Sequence, residues 1–276
     1  ANKNCDDIGC TAVLSSTTNI LFTRETGGEN ADYRVTWEIW EYIGAGGGEN
    51  EFIVRDTVEV TTTGTTAATQ GVSGISNIAD CIPFLTGTRS TNTGTQWDAM
   101  ACIAEIVNTI GDVVRVTRKG STNTTITGVA LVEFTGSNWV VDNNISHTYS
   151  AAGANETETT TDVSDWATAF IESGHHMANA TYGLDETRSN CWPGASTTTV
   201  NFRLRAGSTS PTSVVDMAHV AKNANLGVEH FDSITGGATD LAAGSASPQT
   251  INQTITAVSD TAQTALLATA DCNGAG

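Results

Sequence analysis

The sequence predicts a mainly β chain, built as three tandem diverged β-sandwich-like repeats, each with one short helix. Three observations predict it. Thr, Ser, Gly, Ala and Asn dominate while charged residues make up only 15% of the chain, a strand end running into a turn recurs three times, and an apolar strand follows each recurrence. Thr favours strands, and small residues favour turns.

The turn motif comes first in each copy. Phe22-Thr23-Arg24-Glu25-Thr26-Gly27 recurs as Val116-Thr117-Arg118-Lys119-Gly120-Ser121 and as Leu204-Arg205-Ala206-Gly207-Ser208. Cys10, Cys102 and Cys191 stand at comparable distances upstream and join the pattern. Downstream lies a core strand, over residues 35–42, 128–134 and 214–220. Its apolar residues fall on both alternating faces, Trp37 and Ile39 against Trp40 and Tyr42, then Val129 and Leu131 against Val132 and Phe134. That is the pattern of a strand covered on both sides.

A second strand pair follows, residues 51–54 with 58–60 and residues 138–141 with 145–149, fainter in the third copy around 228–234. Each copy closes on a helix candidate: residues 75–81, 163–169 and 258–264. Ser76-Asn77, Ser164-Asp165 and Ser259-Asp260 supply side-chain oxygens that cap orphan helix N–H groups. The repeats divide at 1–90, 91–177 and 178–276, and the polar stretches 88–97 and 175–188 read as connecting loops. Units of this size bury little apolar surface, so disulfides or packing between copies should complete their stability.

Charge and hydropathy narrow the function. The net charge is −18, and the twelve Lys and Arg residues are scattered, which argues against binding a phosphate backbone. No apolar run reaches the roughly 20 residues of a membrane-spanning helix. A chain opening at Ala1 in place of Met is expected to have lost an initiator Met or a leader.

Six cysteines, Cys5, Cys10, Cys81, Cys102, Cys191 and Cys272, lack CxxC or zinc-like spacing, so disulfides are expected ahead of metal. Pairing Cys10 with Cys81 and Cys191 with Cys272 would staple a unit from start to end. Cys5 and Cys102 would then pair with each other or with a neighbouring chain. Sequons begin at Asn123, Asn144, Asn155, Asn179 and Asn252, several of them expected by chance in a chain this rich in Ser and Thr.

Aligned core strands place Glu41, Glu133 and His219 at one position. Convergence about a threefold axis would make a cation site, but solvent-exposed strand ends are the expected reading. His175-His176 reads as a pair of loop histidines, and Gly71-Val72-Ser73-Gly74-Ile75 misses a nucleophile elbow. The acidic loop at Asp185-Glu186 lacks the oxygen pattern of a calcium loop. Catalytic, cofactor and metal residues are therefore expected to be absent. Trp37, Trp40, Trp139 and Trp166 fall on core positions, leaving Trp97 and Trp192 freer.

The segments Val132-Glu133-Phe134-Thr135-Gly136-Ser137-Asn138-Trp139 and Ser146-His147-Thr148-Tyr149-Ser150-Ala151-Ala152-Gly153 resemble repeat modules in structural proteins of tailed bacteriophage virions. The resemblance covers mainly the second copy and transfers no functional residue. The expected function is a non-enzymatic structural protein, either of a virion surface as capsid decoration or tail component, or as an extracellular filament subunit. Its partners would be copies of itself or other structural proteins, on a virion or at the cell surface. The alternative is a carbohydrate-binding or adhesive β-domain array touching glycans through Trp97 or Trp192.

Overall fold

The computed structural model describes residues 9–16, 18–24, 39–91, 100–108, 111–120, 123–151, 154–176, 189–204 and 214–228. Within them the chain is mainly β. The strands are β1 (Cys10–Ser16), β2 (Asn19–Arg24), β3 (Ile53–Thr63), β4 (Ala67–Gly71), β5 (Cys81–Ser90), β6 (Cys102–Asn108) and β7 (Asp112–Arg118). They continue as β8 (Thr124–Glu133), β9 (Trp139–Thr148), β10 (Asn155–Thr159), β11 (Ala169–His176), β12 (Ser189–Pro193), β13 (Thr199–Leu204) and β14 (Val215–Asn223). Every pairing among them is antiparallel.

The strands form two sandwiches of identical topology. In unit I, the sheet β3-β8-β5 faces the sheet β4-β7-β6; in unit II, β9-β14-β11 faces β10-β13-β12. Unit I closes around Val60, Cys81, Ile106, Val114, Val116, Val129 and Leu131, with both sheets contributing. Unit II closes around Ile145, Tyr149, Val200, Phe202, Leu204, Ala218 and Val220. The hairpin β1-β2 lies outside both, extending the first sheet of unit I to the order β2-β1-β5-β8-β3.

This pairing cuts across the divisions at 90/91 and 177/178. The second copy's core strand β8 lies between β3 and β5 of the first copy, and the third copy's β14 lies between β9 and β11 of the second. In the opposing sheets, β4 adds to the second copy's hairpin β6-β7, and β10 to the third copy's hairpin β12-β13. Each sandwich thus combines strands from both sides of an expected division.

The two-faced apolar pattern of the core strands has a matching cause. Val129 and Leu131 enter the unit I core, while Val132 and Phe134 point the other way. There they join Ile82, Phe84, Phe170, Trp139 and Ala221 in a third core between the units. Phe134 and Trp139 ring centroids are 4.7 Å apart, and Trp40 meets Phe170 edge-on at 5.7 Å. Aromatic pairs at these separations add to area burial.

Several sequence expectations change. Residues 51–54 and 58–60 are not a hairpin pair: β3 runs through them with a register shift between Val54 and Asp56. The same holds for β9. A β-bulge absorbs the polar interruption that reads as a turn. The helix candidates 75–81 and 163–169 shrink to three-residue 3-10 turns, Ile78–Asp80 and Trp166–Thr168, capped by Asn77 and Asp165. They cannot lengthen because Cys81 and Ala169 already open β5 and β11. The third candidate, 258–264, lies outside the described residues. His175 and His176 are strand residues, opposite Asp216 and Val215, and β5 runs to Ser90 through the start of an expected loop. No helix among the described residues is long and apolar enough to cross a membrane.

Candidate functional site

Because the units are equivalent, strand register identifies matching positions. Gly71 pairs with Val113 as Thr159 pairs with Thr199, and Cys102 faces Arg118 as Ser189 faces Leu204. Arg118 therefore matches Leu204, and Cys102 matches Ser189. Matching Arg118 to Arg205 and Cys102 to Cys191 by residue type slips the third copy by one and two positions. Glu133 faces Cys81 as Lys222 faces Ala169, so Lys222, not His219, matches Glu133.

These equivalents keep a contact while exchanging its chemistry. Thr127 Oγ1 donates to Cys102 Sγ at 3.4 Å, and in unit II Ser189 Oγ donates to Asp216 Oδ1 at 2.7 Å. Glu133 is buried and accepts from Ser76 N, Asn77 N and Arg55 Nε. Lys222 instead donates to Asp162 O and Ser164 Oγ in the matching loop.

The hairpin β1-β2 is a half of the same kind. Its register, Ala12 with Phe22 and Leu14 with Ile20, repeats that of Ala104 with Val116 and Ile106 with Val114. Its surroundings differ. Ile106, Val116 and the matching Phe202 are buried, whereas Leu14 is 52% exposed and Phe22 36%. On the opposite face Leu21 is also 52% exposed. Among the described residues β2 pairs with β1 alone, so the edge that β7 offers to β4 has no counterpart partner on β2.

What holds the hairpin is its other side. Cys10 and Thr11 pair with Thr88 and Gly87 on β5. Gly87 has φ +121°, and a Cβ there would collide with Cys10 O. Thr11 Oγ1 donates to Glu59 Oε1 at 2.5 Å, and Arg89 Nη2 lies 3.0 Å from Glu59 Oε2. Burial opposes ionisation of Glu59, but the Thr11 hydroxyl and the Arg89 guanidinium outweigh it and hold its carboxyl below the ordinary range.

The same close approach recurs between the units. A Cβ on Gly174 of β11 would meet Cys102 O at 2.9 Å and Ile103 Cα at 3.5 Å. Hairpin β1-β2 approaches β5 at the position where β6 approaches β11, but only β1 is joined to its neighbour by a strand ladder. The second junction is further clamped by Asn144, which accepts from Ile106 N and donates to Ile106 O, and by His219, whose Nε2 is 3.0 Å from Ala104 O.

A buried polar cluster in unit II is the nearest arrangement to a chemical site. The Tyr149 hydroxyl donates to Asp216, whose carboxyl burial pushes up to about 6. Burial and the neighbouring Asp216 raise the Tyr149 phenol as well. His147 stacks on Phe202 at 4.8 Å and holds Glu158 Oε1 at 2.9 Å from Nδ1. Ser189 bonds Asp216 and not His147, so the set does not form a nucleophile, base and orienting acid in series.

The sequence candidates scatter. Glu41 is exposed, Glu133 caps the loop before the first 3-10 turn, and His219 lies at the junction of the units, so they do not converge. No group of metal-ligating side chains occurs among the described residues. Cys10, Cys81, Cys102 and Cys191 are free. The Cys10–Cys81 pair fails on distance, because Cys10 lies opposite Thr88, seven residues along β5 from Cys81 and about 23 Å away at strand rise. Cys5 and Cys272 lie outside the described residues, as do Trp37, Trp97, Asp185 and Glu186; Trp192 is a half-buried residue of β12. Comparison of the chain with protein-family models, curated proteins and solved structures finds no match.

Proposed function

We propose that this chain is a structural subunit of an extended assembly, either an extracellular filament or the surface of a virion, where it serves as decoration or tail component. One observation carries the reading: strands from both sides of each expected division complete a single sandwich, and the hairpin β1-β2 leaves the apolar residues Leu14 and Phe22 exposed. A fold made this way builds outward by adding halves. Leu14 and Phe22 are exposed on one face of the hairpin, and apolar side chains left exposed side by side on an otherwise acidic protein suit a contact surface. Closure of the strand edge removes a site of uncontrolled pairing.

Electron microscopy and mass measurement of the purified full-length chain test the reading. Concentration-dependent filaments or ordered arrays are expected. A chain that remains a monomer at high concentration, and is absent from particles and appendages of the native source, overturns it.

A further inference from the structure

We infer that the cleft between residues 40–46 and the start of β3 is a binding site for an organic ammonium cation, with Trp40 and Tyr42 supplying aromatic surface and Glu41 and Glu51 the countercharge. This activity goes beyond the structural role and does not depend on assembly. The cleft has a volume of about 390 Å³, within the range of small-molecule sites. Phe52 and Val54 belong to its other wall, and Trp40 and Val54 remain exposed.

The cleft is built before any ligand arrives. Trp40 is wedged against the core between the units, with Phe170 edge-on at 5.7 Å and Phe84 at 6.2 Å. Tyr42 leans on Phe52 at 6.2 Å, and its hydroxyl donates to Ala45 O at 3.1 Å. A Cβ on Gly44 or on Gly48 would collide with that hydroxyl, so glycine at both places makes room for the ring. Gly48 N donates to Ala45 O and Glu51 N to Gly48 O, each at 3.0 Å. Thr135 Oγ1 and Gly47 N donate to the Glu51 carboxyl at 2.7 and 3.0 Å, and these two bonds hold it below its ordinary range, charged at neutral pH. Groups fixed before binding lose little freedom when a ligand enters.

The chemistry of the lining selects the ligand. Its charged side chains are two carboxylates, and among the described residues no Lys, Arg or His lines it. The Arg55 charge that reaches Glu51 is itself bound to Glu133 at 2.5 Å, and the chain carries a net charge of −18, so an anion is repelled. A saccharide presents hydroxyls that both give and take hydrogen bonds. Tyr42 has placed its proton on Ala45 O, which leaves the Trp40 indole as the one side-chain donor among the described lining residues. An alkylated ammonium ion asks for negative charge and aromatic faces, and both are present. Its alkyl groups can also cover Phe52 and Val54, taking apolar surface out of water.

Saturation-transfer nuclear magnetic resonance on the full-length chain tests this with choline as the probe, because it reads the ligand and serves monomers and assemblies alike. The choline methyl protons should take up saturation, and the uncharged isostere 3,3-dimethylbutan-1-ol should bind at least about tenfold more weakly. Trp40→Ala should weaken choline about tenfold. Glu41→Gln, a change at an exposed side chain that leaves the packing alone, should weaken it at least about threefold with unchanged circular dichroism. Equal binding of choline and its isostere overturns the inference in favour of a plain apolar cleft. Saturation of glucose but not of choline overturns it in favour of a saccharide. Choline binding that survives both substitutions, or no choline binding at all, also overturns it. Each of these results leaves the assembly reading untouched, since microscopy decides that separately.

Discussion

Glu133 and Lys222 occupy the same position in the two sandwiches, and each ties down the loop before a 3-10 turn by opposite chemistry. Glu133 does so as a buried acceptor of two amides and of Arg55 Nε at 2.5 Å. Lys222 does so as a donor near solvent. Glu133→Ala strands a guanidinium and two amide donors, a change that costs about 3 kcal/mol in unfolding free energy. Lys222→Ala should cost under about 1 kcal/mol, because its contacts face water. Denaturant unfolding of both variants checks the contrast; equal losses would refute it.

Buried carboxyls make stability fall toward neutral pH. Asp216 is pushed up to about 6 by burial, against an ordinary value of 3.8. Glu172, a half-buried residue of β11 whose carboxyl accepts from Leu85 N on β5, is pushed up to about 7 by burial, against 4.5. Between the ordinary and raised values the folded state keeps a proton that the unfolded chain has released. Stability is therefore lost as pH rises through those windows and then levels off. His219 acts oppositely within the same range, because burial pushes it down to about 4 against 6.5 and stability is lost as pH falls through that window; Glu51, Glu59, Glu156 and Asp162 act oppositely below their ordinary values of 4.5 and 3.8. Relative to the double variant Asp216→Asn/Glu172→Gln, which keeps His219, the unaltered chain should gain melting temperature on going from pH 7.5 to pH 5, and identical pH profiles of the two would refute the assignment.

The β class and the two-faced pattern of β8 were legible in the sequence because both rest on local pattern: Thr and β-branched runs, and apolar residues at Val129, Leu131, Val132 and Phe134; the described end of the expected core strand 35–42 lies in no strand, and Ile39 there is exposed. Strand partners were not. Nothing near β8 indicates that it pairs with strands from the preceding copy, since pairing is a long-range choice. Register also escaped, because matching like with like aligned Arg118 to Arg205, whereas the fold keeps inward positions and admits Leu204 for Arg118. The exposed hairpin was hidden for a related reason. Leu14 and Phe22 are apolar residues of a short strand pair, and nothing local marks them as exposed; that emerges only by comparison with the buried Ile106 and Val116.

The thiols differ in accessibility, with a chemical consequence. Burial pushes Cys81 up to about 12 and also raises Cys102, whose Sγ accepts from Thr127. Cys10 is only half-buried. Alkylation depends on thiolate and access. Iodoacetamide near pH 8 should therefore modify Cys10 while Cys81 and Cys102 react at least about tenfold more slowly until denaturant is added. Peptide mass mapping reads the order. Rapid native labelling of Cys102 would contradict its burial.

Asn144 couples the two units through backbone rather than side-chain chemistry. Its amide both accepts from Ile106 N at 3.2 Å and donates to Ile106 O at 2.8 Å, so it engages the edge of β6 that no strand among the described residues pairs, as another strand would. It does so from φ +58°, a left-handed conformation that Asn tolerates and Ala does not. Asn144→Ala removes both bonds and adds backbone strain, for a loss of about 2–4 kcal/mol. Asn144→Gly removes the bonds without the strain and should retain about 1 kcal/mol more. In both variants hydrogen exchange at the Ile106 amide should accelerate, whereas amides inside β7, away from the junction, should keep their protection. Asn144 also opens a sequon, yet its amide nitrogen is committed to Ile106 O, so the folded chain should carry an unmodified Asn144 in peptide mass analysis. Loss of stability without faster exchange at Ile106 would place the role of Asn144 inside unit II and refute the clamp.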